Sequence, residues 1–142
     1  MELIIIRHAL PESEKRDDGP ADPPLSPLGL QQAEATADLL ATEGVDHVVT
    51  STMQRAIQTG RPLADRLGLT PERLGDLKES DYRRNSYTPV EEMGADHEVI
   101  REFLNDPLSM FADGYEAFRD RVTVALDAVV TDNRGCTVAV FC

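Results

Sequence analysis

The sequence predicts an α/β three-layer sandwich, a mostly parallel central sheet with helices on both faces. Three observations predict it. Short runs rich in β-branched residues stand at 2–6 (ELIII), 45–50 (VDHVVT) and 137–142 (TVAVFC). Stretches of helical periodicity fill the intervals, and glycines at 44, 68 and 135 close them. Strands that alternate with helices pair in parallel and are covered on both faces. The 142 residues amount to one domain, so 1–142 is read as a single unit.

The elements follow in order. Residues 2–6 form a run expected to be a central strand buried on both faces. From Leu10 to Pro24 the chain turns to Pro, Asp, Glu, Lys and Gly, the composition of a long exposed loop. Ser26 followed by Pro27 is a helix N-cap with a first-turn proline, and Ala33, Ala37, Leu40 and Ala41 repeat at helical spacing. Residues 45–50 make the next strand, and Ser51 is placed to cap a second helix that Gly60 and Pro62 should kink and Gly68 should end. Residues 69–78 leave room for a short edge strand. Residues 81–106 read as a lid or insertion, polar and aperiodic until a short helix turns Val99, Ile100, Phe103 and Leu104 inward. Tyr115, Phe118, Val122, Leu126 and Val129 mark one face of a long helix, and a last strand follows.

Composition narrows the function. Lys and Arg number 14 against 26 Asp and Glu, a net charge of −12 that repels nucleic-acid backbones and anionic lipid surfaces. Neither partner is expected. The early apolar run is too short for a signal-peptide core or a membrane helix, so a cytoplasmic protein is expected. Cys136 and Cys142 lie six residues apart along one strand, beyond disulfide reach at ~3.3 Å per residue, and two thiols without a Cys/His ligand pattern make no zinc site. In a parallel sheet ligands gather beyond the carboxyl ends of the strands. Arg7 and His8 stand there after the first strand, a guanidinium fork beside an imidazole that can attack phosphorus or carry protons. Arg55 follows the second, in the first turn of a helix whose free N–H groups favour an anion. Two arginines, a histidine and a helix start describe a phosphate pocket.

These residues sit in segments that resemble the histidine phosphatase superfamily, which includes the cofactor-dependent phosphoglycerate mutases and many small phosphatases. Residues 3–9 (LIIIRHA) resemble its strand followed by Arg-His-Gly, and 25–33 (LSPLGLQQA) its Leu-Ser/Thr-x-x-Gly-x-x-Gln-Ala segment. Residues 51–59 (STMQRAIQT) are similar to Ser-x-x-x-Arg-Ala-x-Gln-Thr. Leu77-Lys78-Glu79 fits Leu-x-Glu, and Gly114-Tyr115-Glu116 with Phe118 and Arg121 resembles the start of the family's Gly-Glu-Ser helix. The likeness spans nearly the whole chain and implies a phosphoglycerate mutase-like sandwich.

Carried over residue by residue, the resemblance implies that His8 is a nucleophile forming a phosphohistidine, that Arg7 and Arg55 hold phosphoryl oxygens, and that Glu79 is acid and base. Ser26 is a possible substrate contact. An acid–base carboxyl needs a pKa raised by its surroundings, and Asp81 is the nearest alternative. The reaction implied is hydrolysis of small phosphomonoesters with no cofactor and no metal. Mutase-type phosphoryl transfer and non-catalytic phosphate binding are the alternatives. Three departures weigh against a glycolytic mutase: Ala9 in place of Gly, Glu14 where mutase-like members carry Asn, and no Trp at all. The family's second His, followed by Gly, would stand directly after Cys142, so the domain is expected to continue past that residue. His47 and His97 are a strand and a surface histidine rather than substitutes for it. Because the net charge repels an anionic substrate, kcat/KM should rise as salt goes from about 10 to about 150 mM; a salt-independent or falling rate contradicts this.

Overall fold

The computed structural model describes residues 1–142. In chain order the elements are β1 (Glu2–Ile6), β2 (Glu14–Lys15), α1 (Pro27–Leu40), β3 (His47–Ser51), α2 (Gln54–Leu67), β4 (Glu72–Leu74), β5 (Ser86–Tyr87), α3 (Glu98–Asn105), α4 (Tyr115–Asp132) and β6 (Thr137–Phe141). Four parallel strands form the sheet in the order β1-β6-β3-β4. Residues along β6 alternate between its two faces, as the period of two requires. Ala139 and Phe141 pack with Ala37, Leu40, Leu63 and Ala64 of α1 and α2, whereas Val138 and Val140 pack with Ala125 and Val129 of α4. The expected three layers are therefore α1 with α2, the sheet, and α4.

Several expectations are corrected. β1 lies at the edge of the sheet, paired only with β6, and Ile5 is 56% exposed. An apolar run reports what its side chains favour, but the neighbour that would cover it lies elsewhere in sequence. The loop from Leu10 to Pro24 is not wholly exposed. It carries β2, which pairs antiparallel with β5, and Pro11, Ala21 and Pro23 are buried. Helix α2 runs without a break through Gly60 and Pro62, because burial against the sheet outweighs the hydrogen bond lost at the proline. Gly60 is there for close approach: a Cβ would lie 2.9 Å from Phe141 Cδ2 and 3.1 Å from Thr50 Cγ2. Ser51 ends β3 instead of capping α2; its Oγ accepts from Met53 N at 3.3 Å. Phe103 and Leu104 of α3 are 50% and 73% exposed, not inward, since α3 rests on the short turn Pro107–Met110 rather than on the core. Tyr115 at the start of α4 is also exposed.

Leu63 is fully buried between α2 and the sheet. Leu63→Ala should cost about 2–5 kcal/mol in urea-induced unfolding; a loss under about 1 kcal/mol would contradict this packing.

Candidate active site

The carboxyl ends of β1, β3 and β6 meet as the topology requires. His8 extends the β1–β6 ladder, its backbone N–H donating to Cys142 O at 2.8 Å, and its side chain is almost fully buried. Arg55 comes from the first turn of α2, just beyond β3, with 1% of its side chain exposed. Glu79 follows β4 and the turn Gly75–Leu77. These three side chains touch. His8 Nε2 lies 2.8 Å from Glu79 Oε1, and Arg55 Nη2 donates to Glu79 Oε2. A single carboxylate thus spans the imidazole and the guanidinium. Arg7 stands at the mouth, 61% exposed and 3.8 Å from Glu91, and lines a cavity together with Glu79 and Asp81.

The polar residues of the motif segments hold this arrangement in place. Ala9 N donates to Thr59 Oγ1 at 3.0 Å, and Thr59 Oγ1 donates to Arg55 O at 2.7 Å, which ties the His8 loop to the helix carrying Arg55. Leu10 N donates to Gln32 Oε1 and Leu25 N to Gln58 Oε1. Gly29 lies so close to this loop that a Cβ would fall 2.0 Å from Leu10 O, contact that only glycine allows. Ser26 has a structural role. Its Oγ donates to Leu10 O and accepts from Gly29 N, both at 3.0 Å, capping α1, and it does not line the cavity beside Glu79. Ala9 carries no strain, since no non-glycine residue has positive φ. Glu14 accepts from Asp22 N at 2.7 Å.

Four contributors escaped the sequence reading. Asp22 accepts from Gln54 N at 2.9 and 3.1 Å and lies 3.5 Å from Arg55 Nη1, so the helix start expected to receive a ligand anion already holds a carboxylate. Tyr87 of β5 lies over Arg55, its ring centroid 4.5 Å from Cζ, a stacking that suits guanidinium. Thr59 was matched as a motif residue but not as a bracket. Arg121 of α4 donates to the backbone oxygen of Glu79 at 3.1 Å. Asp22 and Tyr87 arrive from segments without periodicity, and no local signal marks them.

Charge in the site departs from expectation. Burial pushes the Glu79 pKa up, but the His8 hydrogen bond, the Arg55 charge and the His8 charge outweigh it and bring it down to about 2. The raised carboxyl is Asp81, shifted by burial and then by the charge of Glu79. Burial and Glu79 likewise raise the Cys142 thiol. His8 Nδ1 lies 2.8 Å from Ala9 O, which can only accept, so Nδ1 carries a proton and Nε2 is the nitrogen that faces Glu79. The Nε2–Oε1 contact then contains one proton between two groups that would otherwise repel. Arg55 Nε is buried without a partner. No cluster of three His, Cys, Asp or Glu residues is arranged to hold a metal, and no helix is long and apolar enough to cross a membrane.

The chain belongs to the histidine phosphatase superfamily, branch 1, whose family model matches residues 3–142. A Yersinia pestis (strain Pestoides F) protein named "Probable phosphoglycerate mutase GpmB" is 27% identical over 104 residues, 72% of this chain and 48% of its own length. The chain thus spans about half the length of the curated relatives it matches. Among solved structures, the alpha-ribazole phosphatase from Shigella flexneri superposes with a TM-score of 0.70 at 24% identity, covering 99% of this chain and 73% of that one. Phosphoserine phosphatase from Entamoeba histolytica in complex with 3-phosphoglyceric acid superposes with a TM-score of 0.71 at 22% identity, covering 98% and 72%. These likenesses establish the mutase-like α/β fold.

Because Glu79 is ionised far below its ordinary value of 4.5 only when folded, it adds stability that is complete above pH 4.5 and is lost as pH falls toward 2. The stability difference between the protein and Glu79→Gln should therefore shrink across that window in denaturant titrations. A difference that stays constant from pH 6 to pH 2.5 would show that Glu79 is not held as a paired carboxylate.

Proposed function

We propose that the protein hydrolyses small phosphomonoesters through a phosphohistidine on His8, without a metal, in the cytoplasm. The observation that carries this reading is the shared carboxylate. His8 Nε2 and Arg55 Nη2 converge on the two oxygens of Glu79, so the groups that would attack and clamp a phosphoryl anion already face one anion-sized position. The family supports the same chemistry, and the neighbouring structures named as phosphatases agree with it.

The proton between Nε2 and Oε1 gives the sequence of steps. An arriving phosphoryl group takes over Arg55, and its negative charge beside Glu79 raises the carboxyl's affinity for that proton. Glu79 keeps it, and Nε2 is left with a free lone pair. Nε2 attacks phosphorus, the bond to the ester oxygen breaks, and Glu79 gives its proton to the departing oxygen. Arg55 and Arg7 meet the charge spread over the equatorial oxygens, where most of the stabilisation of phosphoryl transfer lies. Glu79, again a carboxylate, then takes a proton from water as its oxygen attacks the phosphohistidine, releasing phosphate and free imidazole. The low pKa of Glu79 is thereby reconciled with an acid–base role: substrate itself supplies the upward shift.

With 32P-labelled substrate and rapid quenching, the protein should carry label that is stable in alkali and lost in acid. His8→Ala should carry none and turn nothing over, and Glu79→Gln should lower kcat by roughly 10²–10⁴. Phosphate or vanadate binding without turnover would favour the binding-domain reading. Isomer formation from 3-phosphoglycerate and its bisphosphorylated primer, in excess of phosphate release, would favour a mutase.

A further inference from the structure

Resting on the phosphohydrolase reading, we infer that the substrate's alcohol portion is uncharged and apolar, of aromatic or branched-aliphatic bulk, and that it occupies the cavity built by segment 81–106 and the start of α4. That cavity opens beside Arg7 and Glu79 and measures about 550 Å³, far more room than a phosphoryl group needs and within the size range of ligand pockets. Most of its lining side chains are apolar, among them Val90, Met93, Ile100, Phe103, Met110 and Phe118. The two methionines lend an adaptable surface that accepts varied apolar shapes.

Charge excludes the commonest alternative. Arg7 is the one cation lining the cavity, and the proposed reaction commits it to the phosphoryl group. Arg83 and Arg84 are nearby in sequence but tied to Asp113 at 2.8 Å and to Glu102 at 2.5 Å, and Arg121, packed on Phe118 at 4.9 Å, is engaged through donors to the backbone oxygens of Asp76 and Glu79. The acidic groups on or beside the wall are Glu79, Asp81 and, next to Arg7, Glu91. A substrate with a carboxylate, such as phosphoserine or 3-phosphoglycerate, would place that second negative charge among apolar side chains and carboxyls with no free cation to receive it, a costly desolvation. An apolar alcohol meets no such cost and covers surface that is otherwise open to water. Phe103, 50% exposed, and Val90, 51% exposed, are the residues it would cover.

The test compares kcat/KM for 1-naphthyl phosphate, phosphoserine and 3-phosphoglycerate, and measures equilibrium binding of the same three to His8→Ala. Naphthyl phosphate should exceed both acids by roughly 10-fold or more, and Ile100→Glu should shrink that ratio. Phe103→Ala should shrink it too, and being half exposed it serves if Ile100→Glu fails to fold. Hydrolysis with either acid preferred would overturn this inference and leave the phosphohydrolase reading intact. If nothing is hydrolysed, that reading fails, and the binding measurement decides the cavity alone: tighter binding of naphthyl phosphate supports it, whereas equal or weaker binding overturns it.

Discussion

A buried arginine requires a counter-charge, and in this protein one carboxylate supplies it while also reaching Nε2 of His8. Arg55 is taken out of water almost completely, a state that is costly unless its donors are matched. Glu79 matches one, Asp22 stands near another, Tyr87 covers the guanidinium plane, and Nε remains without a partner. The arrangement is an anion site filled by the protein's own anion. In the proposed reaction a phosphoryl group replaces Glu79 on Arg55 and so changes the protonation of that carboxyl.

The fold exists around that contact. The parallel order β1-β6-β3-β4 brings His8 and the start of α2 to the same end of the sheet, and the ladder bond from His8 to Cys142 fixes the imidazole's backbone. Thr59, Gln32, Gln58, Ser26 and Gly29 then clamp the loop that follows. The pairing of β2 with β5 brings Tyr87 over Arg55. Residues far apart in sequence thereby place the three central side chains, and few of them touch the anion position themselves.

Legibility followed the range of each interaction. The helices, the β-branched strands and the ordered motif segments were readable because periodicity, capping at Ser26 and fixed local spacings are written within a few residues. His8, Arg55 and Glu79 were readable as chemistry for the same reason. The fold brings those three side chains together, while Arg7 stands at the mouth beside Glu91. The edge position of β1, the unbroken α2, the cap that Asp22 provides and the depressed pKa of Glu79 were not readable, since each depends on a neighbour brought in by the fold. Phe103 and Leu104 misled because helical spacing marks an apolar face without saying whether a core or a cavity lies beneath it.

The central claim is that His8, Arg55 and Glu79 surround one exchangeable anion position. A crystal structure of the protein soaked with vanadate tests this most directly. The account requires vanadium bonded to His8 Nε2, vanadate oxygens on Arg55, and the Glu79 carboxylate displaced from that guanidinium. Vanadate bound elsewhere, or Glu79 still bridging His8 and Arg55 at saturating vanadate, would contradict it.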